Sequence, residues 1–204
     1  GQCSMKSILE DIRERRRYLD GGMGSMLQAA GMPEGILPDV WGMRNPEVVR
    51  GIHRQYLEAG SRLITANTFG TTPHKVASYG VTCEEVVMAA VGNIRAAMEE
   101  TGVTDAYVMM DIGPTGKLLK PYGDLDFEDA VALFAEPIRA AQKAGADAIL
   151  IETMSDLYEM KAAVVAAKEN CDLPIFASLI FDSTGKQLTG GSPRAAVALL
   201  EGLG

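Results

Sequence analysis

One pattern constrains this chain more than any other. A short apolar run ends abruptly in a polar side chain, and a turn or helix start follows at once. Residues 149–156, Ile-Leu-Ile-Glu-Thr-Met-Ser-Asp, show it most sharply. Arg17-Tyr18-Leu19 ends in Asp20 before Gly21-Gly22-Met23-Gly24, residues 62–66 end in Asn67, and residues 107–110 end in Asp111 before Ile112-Gly113-Pro114-Thr115-Gly116. Unbroken apolar runs of this length suit parallel strands buried on both faces. Polar side chains at the C-terminal ends of such strands stand where barrel and open-sheet enzymes place their chemistry.

Helical segments separate the runs. Residues 7–16 read as a short leading helix. Asn45-Pro46-Glu47 opens a second, with Asn as N-cap and Pro in the first turn, and Gly60 closes it. Residues 82–101 carry an apolar stripe at Val86, Ala89, Ala90, Ile94 and Ala97. Asp126 and Asp129 begin another helix that Gly145 stops; Pro137 inside it should kink it or leave one carbonyl unpaired. Asp156 with Glu159 caps a helix to about residue 170, residues 174–181 form a fifth strand, residues 182–185 a turn, and Ser192-Pro193 starts a last helix of Ala and Leu. Residues 32–44, punctuated by Pro and Gly, read as a loop holding Trp41.

Five strand–helix alternations with short connections predict an α/β fold of parallel strands joined by right-handed crossovers. An eight-unit barrel typically needs about 250 residues. The 204 residues present therefore fit either an open five-stranded sheet or about five of the eight βα units of a barrel.

Asp20 and Glu152 are the leading functional candidates. Two carboxylates at one mouth suit an acid/base pair, a divalent metal, or capture of an ammonium group; alternatively each caps the element that follows. Asn67 could orient a ligand or bond the neighbouring loop. Asp111 reads as stabilising the turn after it. His53 lies mid-helix as a packing or surface histidine, and His74 sits on a loop with its role open. Gly21-Gly22-Met23-Gly24 allows a tight turn or a close ligand approach, but it is no dinucleotide fingerprint, because Leu27 stands where a third small residue is required.

The net charge of −8 argues against nucleic acid or an anionic membrane as partner. The one basic run, residues 13–17, reads as a solvated helix face. No apolar stretch is long enough to span a bilayer. Cys3, Cys83 and Cys171 are scattered and odd in number, which suits a reducing cytoplasm and gives no metal spacing; Cys83 and Cys171 read as inert. Met5 looks like a natural start, with residues 1–4 an added remnant.

Taken in order, Leu19-Asp20-Gly21-Gly22-Met23-Gly24-Ser25, Ile64-Thr65-Ala66-Asn67-Thr68-Phe69-Gly70, Asp111-Ile112-Gly113-Pro114-Thr115-Gly116, Ile151-Glu152-Thr153-Met154-Ser155-Asp156 and Leu188-Thr189-Gly190-Gly191 resemble successive motifs of the homocysteine S-methyltransferase family. Within it they are most similar to the homocysteine-binding modules of cobalamin-dependent methionine synthases. The resemblance implies a TIM-type (β/α)8 barrel, of which residues 5–204 are the N-terminal portion, and transfer of a methyl group to the homocysteine thiol to form methionine. It further implies that Asp20 and Glu152 hold the substrate ammonium group, that backbone amides of Gly21 and Gly22 lie near its carboxylate, and that Asn67 lines the same site.

The family activates the thiol with zinc, held by one cysteine in a Gly-Ile-Asn-Cys-like segment and two in a Gly-Gly-Cys-Cys-Gly-like segment. Neither segment occurs here, nor does an Asp-x-His-x-x-Gly cobalamin segment. The expectation is therefore a piece of a cytoplasmic methyltransferase with half a site and no metal of its own. A corrinoid protein or module is a possible partner, and the exposed barrel edges and uncovered inner strand faces should drive association. The rival readings are a thiol or selenol methyltransferase with another donor, or a non-catalytic binding or assembly module.

Overall fold

The computed structural model describes residues 5–14, 17–152, 154, 156–181 and 194–199. The segment 188–191 and the turn expected at 182–185 lie outside them. Four strands, β1 (Leu63–Thr65), β2 (Tyr107–Ile112), β3 (Ala148–Glu152) and β4 (Ile175–Phe181), pair in sequence order and all in parallel. The run ending at Leu19 is not a full strand: it adds one parallel bridge, Leu19 to Leu63, with Tyr18 and Asp20 bonding the same edge. The last segment corrects the sequence reading. Residues 194–199 form β5 (Arg194–Leu199), antiparallel to β4, rather than a helix. An open parallel edge offers unpaired backbone groups, and a strand satisfies them where a helix cannot.

Helices α1 (Met5–Glu14), α4 (Pro46–Glu58), α6 (Cys83–Thr101), α7 (Phe127–Ala144) and α8 (Leu157–Asn170) match the predicted segments. Their caps follow the chemistry only in part. Thr82 accepts from the Glu85 amide, and Asp156 from Tyr158 N, but Asn45 makes no side-chain cap bond and donates instead to Trp41 O. Helix α7 runs from Phe127 to Ala144 with Pro137 inside it. Three short helices have no counterpart in the sequence reading: α2 (Met23–Ala29), α3 (Pro38–Arg44) and α5 (Pro73–Ala77). Helices of five to seven residues are marginal alone and depend on packing. Here Leu27 of α2 and Trp41 of α3 join Val49 and Ile52 of α4 in a small apolar cluster.

The strands alternate strictly between two cores. Ile64, Val108, Met110, Ile149, Ile151 and Ile175 face one way, into a large cluster with Val87, Ile94, Phe134, Ile138 and Ala163 of the helices. Leu63, Met109, Ala148, Leu150 and Phe176 face the other way, where Ile8 of α1 packs among them. The sequence reading left this second face without an opposing wall. In the structure Leu150 and Phe176 are buried, because α1 folds back over them. The charges around α1 also part from expectation. Arg17, read as part of a solvated face, bonds Asp11 through two guanidinium nitrogens at 3.1 and 3.2 Å and pairs with Asp105.

Candidate functional site

Side chains two apart on a strand share a face, so the register fixes what lies above the inner core. Thr65 pairs with Met109, and Asp111 pairs with Leu150. Asp111 and Glu152 therefore extend the Met109–Leu150 face at its C-terminal end. Asp20 joins them from the first bridge: its Oδ1 accepts from Thr65 Oγ1 at 2.8 Å and its Oδ2 from Thr65 N at 3.0 Å. As the sequence reading has it, both stand at the C-terminal ends of their strands: Glu152 is the last residue of β3 and Asp111 the last but one of β2.

These carboxyl groups sense one another. Burial pushes Asp20 up to about 7, against the pull of its two bonds from Thr65, and the Glu152 charge raises it further. Burial also holds Asp111 well above the ordinary carboxylate range, with Glu152, Asp39 and Asp20 adding to the effect. Asp39, from α3, is raised to about 6 by burial although it accepts from Gly70 N at 2.8 Å and Thr71 Oγ1 at 2.6 Å. Among the described residues no salt bridge reaches Asp20, Asp39, Asp111 or Glu152. A mouth lined by mutually repelling carboxyl groups favours a positively charged guest.

The remaining predicted residues take distinct places. Gly21 lies against Tyr56, whose hydroxyl would sit 2.5 Å from a Cβ there, so a larger residue would have to displace the Tyr56 ring. Tyr56 is absent from the sequence-derived candidates. Its own pKa is raised by burial and by the Asp20 charge, so it belongs to the same surroundings. Gly22 is the N-cap residue of α2 and, having no side chain, leaves that helix start without a side-chain cap. Asn67 is buried and donates from Nδ2 to Pro38 O at 3.0 Å, tying the end of β1 to α3.

The turn at residues 113–116 is not held by the Asp111 side chain, contrary to the sequence reading. Glu159 holds it: Thr115 N donates to Glu159 Oε1 at 2.8 Å, so Glu159 anchors a neighbouring loop instead of capping its own helix. Lys75 Nζ donates to Pro114 O at 3.1 Å, His74 Nε2 lies 3.1 Å from Thr115 O, and Gly113 N donates to Phe69 O. His74 is thus on helix α5, supporting the turn, rather than on a loop.

Among the described residues no three His, Cys, Asp or Glu side chains are grouped to hold an ion. Cys83 is buried at the start of α6 with its thiol pushed up to about 12, the reverse of a ligand thiolate, and Cys171 Sγ bonds Ala167 O. His53 is wholly buried in α4 and neither ring nitrogen has a partner. No helix of the described residues is long and apolar enough to cross a membrane.

Known proteins resemble this chain in sequence and fold. The family model for homocysteine S-methyltransferase matches residues 18–203. The methionine synthase of Mycobacterium leprae (strain TN) is 31% identical over 215 aligned positions covering 97% of this chain, and that of Mycobacterium tuberculosis (strain ATCC 25618 / H37Rv) is 30% identical over the same share. The chain spans 18% of the length of each. Among solved structures, the oxidised form of the homocysteine methyltransferase MmuM from Escherichia coli superposes with a TM-score of 0.73 at 22% identity, covering 88% of this chain and 69% of that one. Its metallated form gives 0.70 at 21%, covering 84% and 64%.

Proposed function

This chain belongs to the homocysteine S-methyltransferase family, and on that footing we propose that it carries the amino-acid end of a homocysteine site in a protein that methylates the homocysteine thiol. The observation that supports this reading is that Asp20 and Glu152 stand on one face at the C-terminal end of the sheet. They come from non-adjacent positions in the sheet, the Glu152 charge raises the cost of ionising Asp20, and no cation of the described residues neutralises them. An ammonium group supplies the missing charge and donors for both carboxylates. The amides of the Gly21-Gly22 turn, which precede a helix with no side-chain cap, take the substrate carboxylate. Asn67 holds α3 beside the mouth through Pro38.

Holding both ends of the amino acid fixes where its sulfur points, which is the positioning part of catalysis. The family's zinc supplies a thiolate at neutral pH. The described cysteines and histidines do not fit that metal, so no step is assigned to it here. The barrel architecture, the corrinoid partner and the cytoplasmic setting remain part of this proposal, supported by the family and by the likeness to the methionine synthases.

The test compares homocysteine with its deaminated analogue, 4-mercaptobutanoate, by calorimetric titration. The chain should prefer homocysteine. Asp20→Asn and Glu152→Gln should each cost roughly 1.5–3 kcal/mol of that affinity, the worth of a charge-assisted hydrogen bond, while leaving the analogue's affinity unchanged. Equal binding of the two ligands by the unaltered chain would overturn the assignment.

A further inference from the structure

Asp111 occupies the same mouth, yet the amine reading gives it no task. It is only 8% exposed, and its Oδ1 is buried without a hydrogen-bond partner. It does not serve the turn that follows, which Glu159, Lys75 and Phe69 hold. Its backbone is clamped: Thr68 Oγ1 donates to Asp111 O at 2.8 Å and accepts from Asp111 N at 3.1 Å. The clamp fixes where the side chain starts, and the register with Leu150 sets it one inner-face step below Glu152.

Glu152 is the diagonal neighbour of Asp111 on the same face, two residues beyond Leu150, a spacing that lets a hydrogen bond join the two carboxyl groups. Two carboxylates have no proton to share, so such a bond requires that one of them be protonated. Asp111 is the deeper of the two, since Glu152 retains partial exposure. Three acidic groups act on Asp111: Glu152 from β3, Asp39 from α3, and Asp20. Burial and repulsion both place the proton there.

We propose that Asp111 is a positioning residue for Glu152: its carboxylic acid donates a hydrogen bond to the Glu152 carboxylate, holding that group so that its other oxygen faces the substrate ammonium. This rests on the amine-site reading. The proton stays on Asp111 throughout, no bond to substrate forms, and the effect on the reaction is one of alignment.

Two measurements on the full chain test it. In a carbon-13 NMR pH titration of Asp-labelled protein, with Asp111→Asn identifying its signal, Asp111 should titrate well above ordinary aspartates and move down in Glu152→Gln. A titration in the ordinary range, or one indifferent to Glu152→Gln, overturns the proposal, and neither result depends on homocysteine binding. For affinity, Asp111→Asn keeps an N–H donor and should bind homocysteine within a few-fold of the unaltered chain, while Asp111→Val should lose about tenfold or more. Equal affinities for the two variants, with the preference over 4-mercaptobutanoate intact, defeat the positioning role alone. Loss of that preference in the unaltered chain defeats the amine reading instead.

Discussion

Replacing His53 by Leu should make the fold resist mild acid. His53 is wholly buried in α4, and burial lowers its pKa from 6.5 to about 4. Above pH 6.5 the ring is neutral in both folded and unfolded chains and contributes no pH dependence. As the pH falls from 6.5 towards 4, the unfolded chain takes up a proton that the folded chain refuses, so stability is lost through that window. Each tenfold drop in proton affinity is worth about 1.4 kcal/mol, giving about 3 kcal/mol in all below pH 4 and about 2 kcal/mol by pH 5. Both ring nitrogens lack partners, so Leu also removes a buried unsatisfied donor, a gain of about 1–3 kcal/mol that is independent of pH. Urea titrations of the two proteins at pH 7.0 and 5.0 isolate the contribution of the ring, because every other ionisable group cancels in the difference. The advantage of His53→Leu should grow by about 2 kcal/mol between the two pH values. An advantage that is the same at both would show that His53 finds a proton partner in solution and would refute the reasoning.

Two further substitutions probe the loops that frame the mouth. Glu159→Ala removes the acceptor of the buried Thr115 amide and should cost about 1–3 kcal/mol in chemical denaturation. Because burial raises Glu159 above its ordinary pKa, Glu159→Ala should also flatten the pH dependence of stability just above the ordinary glutamate range. Gly113→Ala places a methyl 2.5 Å from the Phe69 carbonyl oxygen, which is backbone and cannot swing aside; a loss of about 1–3 kcal/mol is expected from thermal unfolding, and an unchanged midpoint would mean the two loops separate freely.

The long amphipathic helices and the apolar strands were legible because their signals are local: periodicity, caps, and a glycine at the end. Gly102 and Gly145 follow α6 and α7 in the left-handed conformation, as that signature requires. What could not be read locally was what a neighbouring segment decides. Glu159 sits at a cap-box position, yet a turn more than forty residues earlier takes its carboxylate. Helices α2 and α3 pack through Leu27, Trp41 and Val49, residues brought together by the fold, and Val40 ties α3 to α6 as well. The site divided in the same way. Asp20 and Glu152 were visible as carboxylates ending apolar runs. Tyr56 had no signal beyond its place in a helical stripe, and Asp111 reads as a turn residue because the glycines after it offer an adequate local explanation.

The antiparallel strand β5 sets a rule for how this sheet can grow. Its six residues occupy the outer rim of β4 from Phe176 to Phe181, and they run against the direction of every other strand. A further parallel neighbour would need those same backbone groups, so it and β5 are mutually exclusive occupants of one rim. Where β5 lies, the backbone groups of that rim are already satisfied, so the edge it covers is closed to pairing with another strand.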